Sequence, residues 1–193
     1  MRAERWGCGV RAPRLHDLAG AQNHQAECKK LWAGCPHPAK RKVMRLPHVV
    51  PFVKFPLYFI TACTAGRRPV LANDEVHRCL SEIWTKSSEH DGWFVGRYLI
   101  TPDHVHLFAM PAAEAKTRAE WLKTWKSISA RRICKGFNLT PPLWQPDTFD
   151  HILRTAESYA EKWHYVRENP VRAGWVAQSP DWPWQGEIQR LGF

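Results

Sequence analysis

The stretch Thr101-Pro-Asp-His-Val-His-Leu-Phe-Ala-Met110 decides how the rest of this 193-residue chain is read. Successive side chains of a β-strand alternate faces, so His104 and His106 project to one side while Val105 and Leu107 project to the other. Upstream, Phe94, Val95, Tyr98, Leu99 and Ile100 make a second β-prone run, and Pro102-Asp103 supplies a tight bend between the two. The pattern predicts a hairpin, strand 93–101 followed by strand 103–109, with two imidazoles side by side on the second arm. Taken alone, the spacing also describes a packed or surface pair that binds nothing. Asp103 is expected on the opposite strand face, away from both rings.

Outward from the hairpin, Leu57-Tyr-Phe-Ile-Thr-Ala-Cys-Thr64 reads as the first strand of a domain opening near Pro47, closed by Ala65-Gly66-Arg67-Arg68-Pro69. The adjacent Arg67 and Arg68 suit a phosphate grip or a solvated loop. Asn73 is placed to cap a helix of about four turns, with Asp74 and Glu75 in its first turn and Val76, Cys79, Leu80, Ile83 and Trp84 on one buried face. A second helix is expected over 114–134, stopped by Gly136. Its apolar stripe is Trp121, Leu122, Trp125, Ile128 and Ser129. The flank, Lys116, Arg118, Lys123, Lys126, Arg131 and Arg132, is either a phosphate-binding surface or a solvated face.

An extended stretch from Gln145 to Leu153 follows, with Phe149 and Ile152 as packing residues. The third helix is read from Arg154 to Asn169, capped by Thr155, with Tyr159, Lys162, Trp163 and Val166 at helical spacing and Pro170 forcing its end. On such a helix Tyr165 and Asn169 stand at i and i+4 and share a face, while Tyr159 points elsewhere. Trp182 and Trp184 suit base stacking, or a plug for the domain edge, the reading preferred here.

The chain carries 28 Lys and Arg against 18 Asp and Glu, a net charge of +10. Residues 1–46 hold ten of those basic residues and three of the acidic ones, with no sustained periodicity, and read as a basic, disordered extension. The remainder is nearly balanced, so a polyanionic partner must be met by local patches. The six cysteines form no C-x-x-C pair and are expected as free thiols in a reducing compartment. No run reaches the roughly 18 apolar residues of a membrane span, and no secretory signal opens the chain. A soluble protein without a membrane partner, cytoplasmic and nucleoid-associated, is expected.

Read together, Ile100-Thr-Pro-Asp-His-Val-His-Leu107, the preceding Arg97-Tyr98, Trp144-Gln145 with Asp150 and Arg154, and Glu157-Ser-Tyr-Ala-Glu-Lys-Trp-His-Tyr-Val-Arg-Glu-Asn-Pro-Val-Arg-Ala-Gly174 resemble the REP-associated tyrosine transposases, a branch of the single-tyrosine HUH transposases. The resemblance covers 47–177 and leaves 178–193 as a Trp- and Pro-containing tail. Thr101 stands where the family commonly has Met, a departure expected not to touch the chemistry. The resemblance implies an α+β fold, an antiparallel β-sheet packed with α-helices in a ferredoxin- or RRM-like arrangement. It also implies a divalent metal, Mg²⁺ or Mn²⁺, held by His104, His106 and Asn169, with Tyr165 as nucleophile. Arg154 and Arg172 join Arg67, Arg68, Lys123, Lys126, Arg131 and Arg132 as expected DNA contacts. The expected partner is single-stranded DNA with a hairpin, bound by a monomer or homodimer.

The chemistry is coherent with the residue types. A free phenol ionises near pH 10, so a tyrosine nucleophile at neutral pH needs an activated electrophile, which a Lewis-acidic cation on the phosphate provides. Two imidazoles and an amide oxygen form the mixed N/O set that suits Mn²⁺ or Mg²⁺. Two other readings stand beside this one: a catalytically silent module binding single-stranded or hairpin nucleic acid, and a zinc hydrolase built on the histidine pair.

Overall fold

The hairpin forms where alternation placed it, and the other described strands and helices are arranged around it. The computed structural model describes residues 55–192, so the expectations for 1–46 lie outside the described residues. In chain order the elements are β1 (Leu57–Cys63), α1 (Asp74–His90), β2 (Trp93–Ile100), β3 (His104–Pro111), α2 (Arg118–Phe137), β4 (Phe149–Leu153), α3 (Ala156–Arg167), α4 (Asn169–Arg172) and β5 (Gln185–Glu187). The sheet order is β4-β1-β3-β2-β5, with every pair antiparallel. Its first six elements, β-α-β-β-α-β, give the ferredoxin-like plan, and the α+β expectation holds.

Register sorts the residues into two faces, because residues paired across neighbouring strands point the same way. Tyr58 opposes Ala109, and Tyr98 opposes Leu107; this face meets α1 and α2 through Trp84 against Tyr98 and Trp121 stacked on Trp93. The other face carries Phe59, Thr61 and Cys63 opposite Phe108, His106 and His104. It is covered by α3, whose Tyr159 ring stands 4.9 Å from Phe108. A register shift between Val95 and Tyr98 marks a bulge in β2. Gly96 lies in it because a Cβ there would come within 2.6 Å of Leu191.

Helix boundaries follow the caps. The Asn73 side chain accepts from the Val76 amide as expected. The second helix begins later than 114, where Thr117 and Glu120 form a capping box. It passes through Gly136 and stops at Asn138, whose left-handed backbone returns an N–H to the Cys134 carbonyl. Thr155 caps α3 through a box with Ser158. That helix ends at Arg167, short of Asn169, and Pro170 sits inside α4. A continuous helix would have set the proline ring against the preceding turn, and the break at Glu168 avoids this.

Two packing expectations change. Phe149, expected to pack, is 49% exposed on the edge strand β4, where Leu153 is buried instead. The segment read as a tail joins the sheet through residues 185–187: β5 pairs with β2, and Trp182 and Trp184 are buried. Trp182 Nε1 donates to the Ile100 carbonyl at 2.9 Å and Trp184 Nε1 to Asp74 Oδ1 at 3.0 Å. They plug the domain edge.

Candidate active site

The rows of β1 and β3 bring two imidazoles together at the buried end of the α3-covered face. His104 and His106 are both buried, and their Nε2 atoms lie 3.0 Å apart. Phe59 stacks on the His106 ring at 5.4 Å. Behind the rings, Thr61 Oγ1 is 2.8 Å from His106 Nδ1. Asp103 Oδ1 lies 2.7 Å from His104 Nδ1, and Thr101 Oγ1 lies 2.6 Å from the same nitrogen.

Two expectations are corrected here. Asp103 does not turn away from the rings, because β3 begins at His104; Asp103 belongs to the turn, where strand alternation has no hold. Thr101 does touch the site, since its hydroxyl binds His104 at both the ring and the backbone. The signal for both was the tight bend itself, which folds its side chains back onto the strand it starts.

The arginines after β1 serve this corner. Gly66 and Arg67 both take left-handed backbone, at φ 65° and 58°, turning Arg67 inward. Its Nε pairs with Asp103 Oδ2 at 2.8 Å, and it donates to Cys63 Sγ. Arg68 donates to the carbonyls of Thr140 and Pro142. Burial opposes ionisation of Asp103, but the hydrogen bond with His104 and the charges of His104 and Arg67 hold its carboxyl below the ordinary value. Burial also lowers the His104 pKa, against the pull of the Asp103 carboxylate. Desolvation raises the Cys63 thiol.

Tyr165 is the exposed tyrosine of α3, 43% accessible where Tyr159 is 8%. Lys162 Nζ lies 5.4 Å from the Phe59 ring and 5.7 Å from the Tyr165 ring. A run of contacts therefore leads from His106 through Phe59 and Lys162 to Tyr165. Arg172 lies over the Tyr165 ring and donates to Tyr165 O and to Asn169 Oδ1. Tyr165 and Asn169 are thus joined through Arg172 across a helix break, and the i, i+4 relation of one continuous helix does not hold.

The remaining basic residues divide. Lys123, Arg131 and Arg154 are exposed. Lys126 is partly buried, its pKa lowered chiefly by desolvation, and it donates to Gln145 O, Pro146 O and Thr148 Oγ1. Arg132 pairs with Glu82 at 3.2 Å.

Among the described residues, no group of three or more His, Cys, Asp or Glu is arranged to hold a metal. The histidine pair nevertheless fits a divalent ion: two Nε2 atoms 3.0 Å apart match neighbouring positions around one ion at bonds of about 2.1 Å. A carboxylate or hydroxyl on each Nδ1 is the outer shell such ligands carry.

Residues 56–167 match the family described as Transposase IS200 like. A REP-associated tyrosine transposase of Escherichia coli (strain K12) is 25% identical over 133 residues, covering 68% of this chain and 76% of the relative. A Haemophilus influenzae relative assigned to the same type is 28% identical over 142 residues, covering 69% of this chain and 80% of its own length. The solved structure of a REP-associated tyrosine transposase bound to a REP hairpin superposes with a TM-score of 0.61 at 21% identity, over 72% of this chain and 81% of that one; it shows the shared fold. No helix among the described residues is long and apolar enough to cross a membrane.

Proposed function

The chain belongs to the IS200-like transposase family, and on that premise we propose that it is a metal-dependent single-stranded DNA endonuclease and strand transferase, cutting near hairpins through a 5′-phosphotyrosine intermediate. The observation that carries this reading is one sheet face on which two imidazole Nε2 atoms meet at 3.0 Å while the helix covering that face exposes Tyr165. A protein that only bound nucleic acid would need neither feature.

In this reading Tyr165 Oη attacks the scissile phosphorus. The P–Oη bond forms as the P–O3′ bond breaks; the phenol gives up its proton and the departing 3′ oxygen gains one. The phosphodiester energy is kept in the covalent link, so a 3′-OH from another strand reverses the step, restores the phenol and joins the strands. Lys162 and Arg172 flank the Tyr165 ring with positive charge, which favours the phosphate approaching it. Mg²⁺ or Mn²⁺, held by His104 and His106 with the amide oxygen of Asn169, would supply Lewis-acid polarisation of the phosphate. Arg172 donates to that same oxygen, and the amide's second lone pair is the one a metal would use.

A zinc hydrolase fits less well, although a carboxylate does stand beside the pair. Asp103 contacts the Nδ1 side of His104, behind the ring, where it orients the imidazole and has no reach to a water on the Nε2 side. Incubation of the full chain with labelled single-stranded hairpins and Mn²⁺, followed by a denaturing gel, tests the proposal. A covalent adduct that disappears in Tyr165→Phe supports it; binding without adduct under all metal conditions favours the silent module.

A further inference from the structure

We infer that the two histidines are not equivalent: Asp103, braced by Arg67, locks His104 with its proton on Nδ1, whereas Thr61 lets His106 take either tautomer, so that the pair accommodates one shared proton or one cation. The cation half rests on the function proposed above. The tautomer half rests on hydrogen-bond accounting alone.

Two side chains approach His104 Nδ1, those of Asp103 and Thr101. An ionised carboxylate only accepts, and Asp103 Oδ1 is 2.7 Å away. Thr101 uses its hydroxyl proton on the His104 carbonyl at 2.8 Å, so toward Nδ1 it too is an acceptor. Nδ1 must therefore be the donor, and in the neutral ring Nε2 keeps the lone pair. The carboxylate is fixed from behind by Arg67 Nε at 2.8 Å. Its turn is tied down as well, since the Thr64 amide and hydroxyl both donate to the Asp103 carbonyl and the Leu71 amide donates to that of Pro102.

His106 meets a different partner. On its Nδ1 side stands the Thr61 hydroxyl, 2.8 Å away, and a hydroxyl donates or accepts as required. Against the fixed lone pair of His104, the 3.0 Å contact is satisfied by an N–H on His106 Nε2, with Thr61 donating to Nδ1. With a cation in the proton's place, His106 loses the proton at Nε2 and takes one up at Nδ1, and Thr61 rotates to accept it. The ring stays neutral throughout, so this exchange needs no net proton release. Arg67, whose sequence position suited a phosphate grip or a solvated loop alike, is on this account a positioning residue.

Two-bond ¹⁵N–¹H correlation spectra of the ¹⁵N-histidine-labelled full chain near neutral pH, with and without Mg²⁺, read the tautomers directly. The wild type is expected to show His104 protonated at Nδ1 in both samples, and His106 protonated at Nε2 without Mg²⁺ and at Nδ1 with it. Asp103→Asn offers Nδ1 a group able to donate; it should mix the His104 tautomers and weaken Mn²⁺ binding, followed by its electron paramagnetic resonance, by about 10- to 100-fold. Thr61→Val should disturb His106 alone. A wild-type His104 protonated at Nε2, or an Asp103→Asn spectrum unchanged at His104, overturns the lock. A lock seen as expected, with neither ring responding to Mg²⁺, overturns the cation half and the metal reading beneath it.

Discussion

Arg172 sets its guanidinium 4.3 Å from the ring centroid of Tyr165 and donates to the carbonyl of that same residue at 2.7 Å. The same group holds Asn169 Oδ1, so one exposed arginine spans the break between α3 and α4 and positions both residues. Arg172→Ala should lower the rate of adduct formation by on the order of 10²-fold, the cost of a misplaced reacting group, and leave hairpin affinity much less affected. Single-turnover cleavage and equilibrium binding on the same hairpin separate the two. Equal losses in both would make Arg172 a plain phosphate contact.

The basic flank of α2 should act unevenly. Lys123 and Arg131 are exposed, so replacing either with Ala should reduce the salt slope of DNA binding by about one, measured between about 50 and about 200 mM salt. Lys126 holds three acceptors in residues 145–148, so Lys126→Ala should lower thermal stability before it alters the slope. A slope unmoved by Lys123→Ala and Arg131→Ala together would make this face simply solvated.

Acid should destabilise the fold from near neutrality downward. His104 has its folded-state pKa lowered from 6.5 by burial, so the unfolded chain binds the proton more readily. Its contribution is complete above pH 6.5 and is lost as pH falls below that value. His77, also lowered by burial, acts in the same direction. Asp103 is held below its ordinary 3.8 and adds a loss only in more acidic solution. Thermal unfolding followed from about pH 8 to about pH 5 should show a falling Tm; a flat or rising Tm would contradict the burial of an uncharged His104.

The C-terminal tryptophans should matter for stability. Trp184 is 3% exposed and donates to Asp74, so Trp184→Ala should cost about 3–5 kcal/mol, read from denaturant unfolding. A cost near zero would return residues 178–193 to the status of a loose tail.

Much of this was legible in the chain. Alternation of apolar residues placed the hairpin and put His104 and His106 on one face, and Asn73 and Thr155 marked two helix starts. Tyr165 was separated from Tyr159 by helical rotation alone, and burial of Tyr159 agrees. What escaped is tertiary in origin. Asp103 and Thr101 act through a turn, whose side-chain directions depend on its closure and follow no period. The commitments of Arg68 and Lys126 are to backbone carbonyls far along the chain. The break at Glu168 required knowing that Pro170 would be kept within a new helical turn rather than outside the old one.

The central claim is that Tyr165 attacks DNA from a helix laid over the histidine face. Peptide mapping of the covalent adduct, formed with single-stranded hairpin DNA and Mn²⁺, tests it most directly. The account predicts a nucleotide on Tyr165 and none on Tyr98 or Tyr159, which are buried. A nucleotide on either of those, or adduct persisting in Tyr165→Phe, would contradict it.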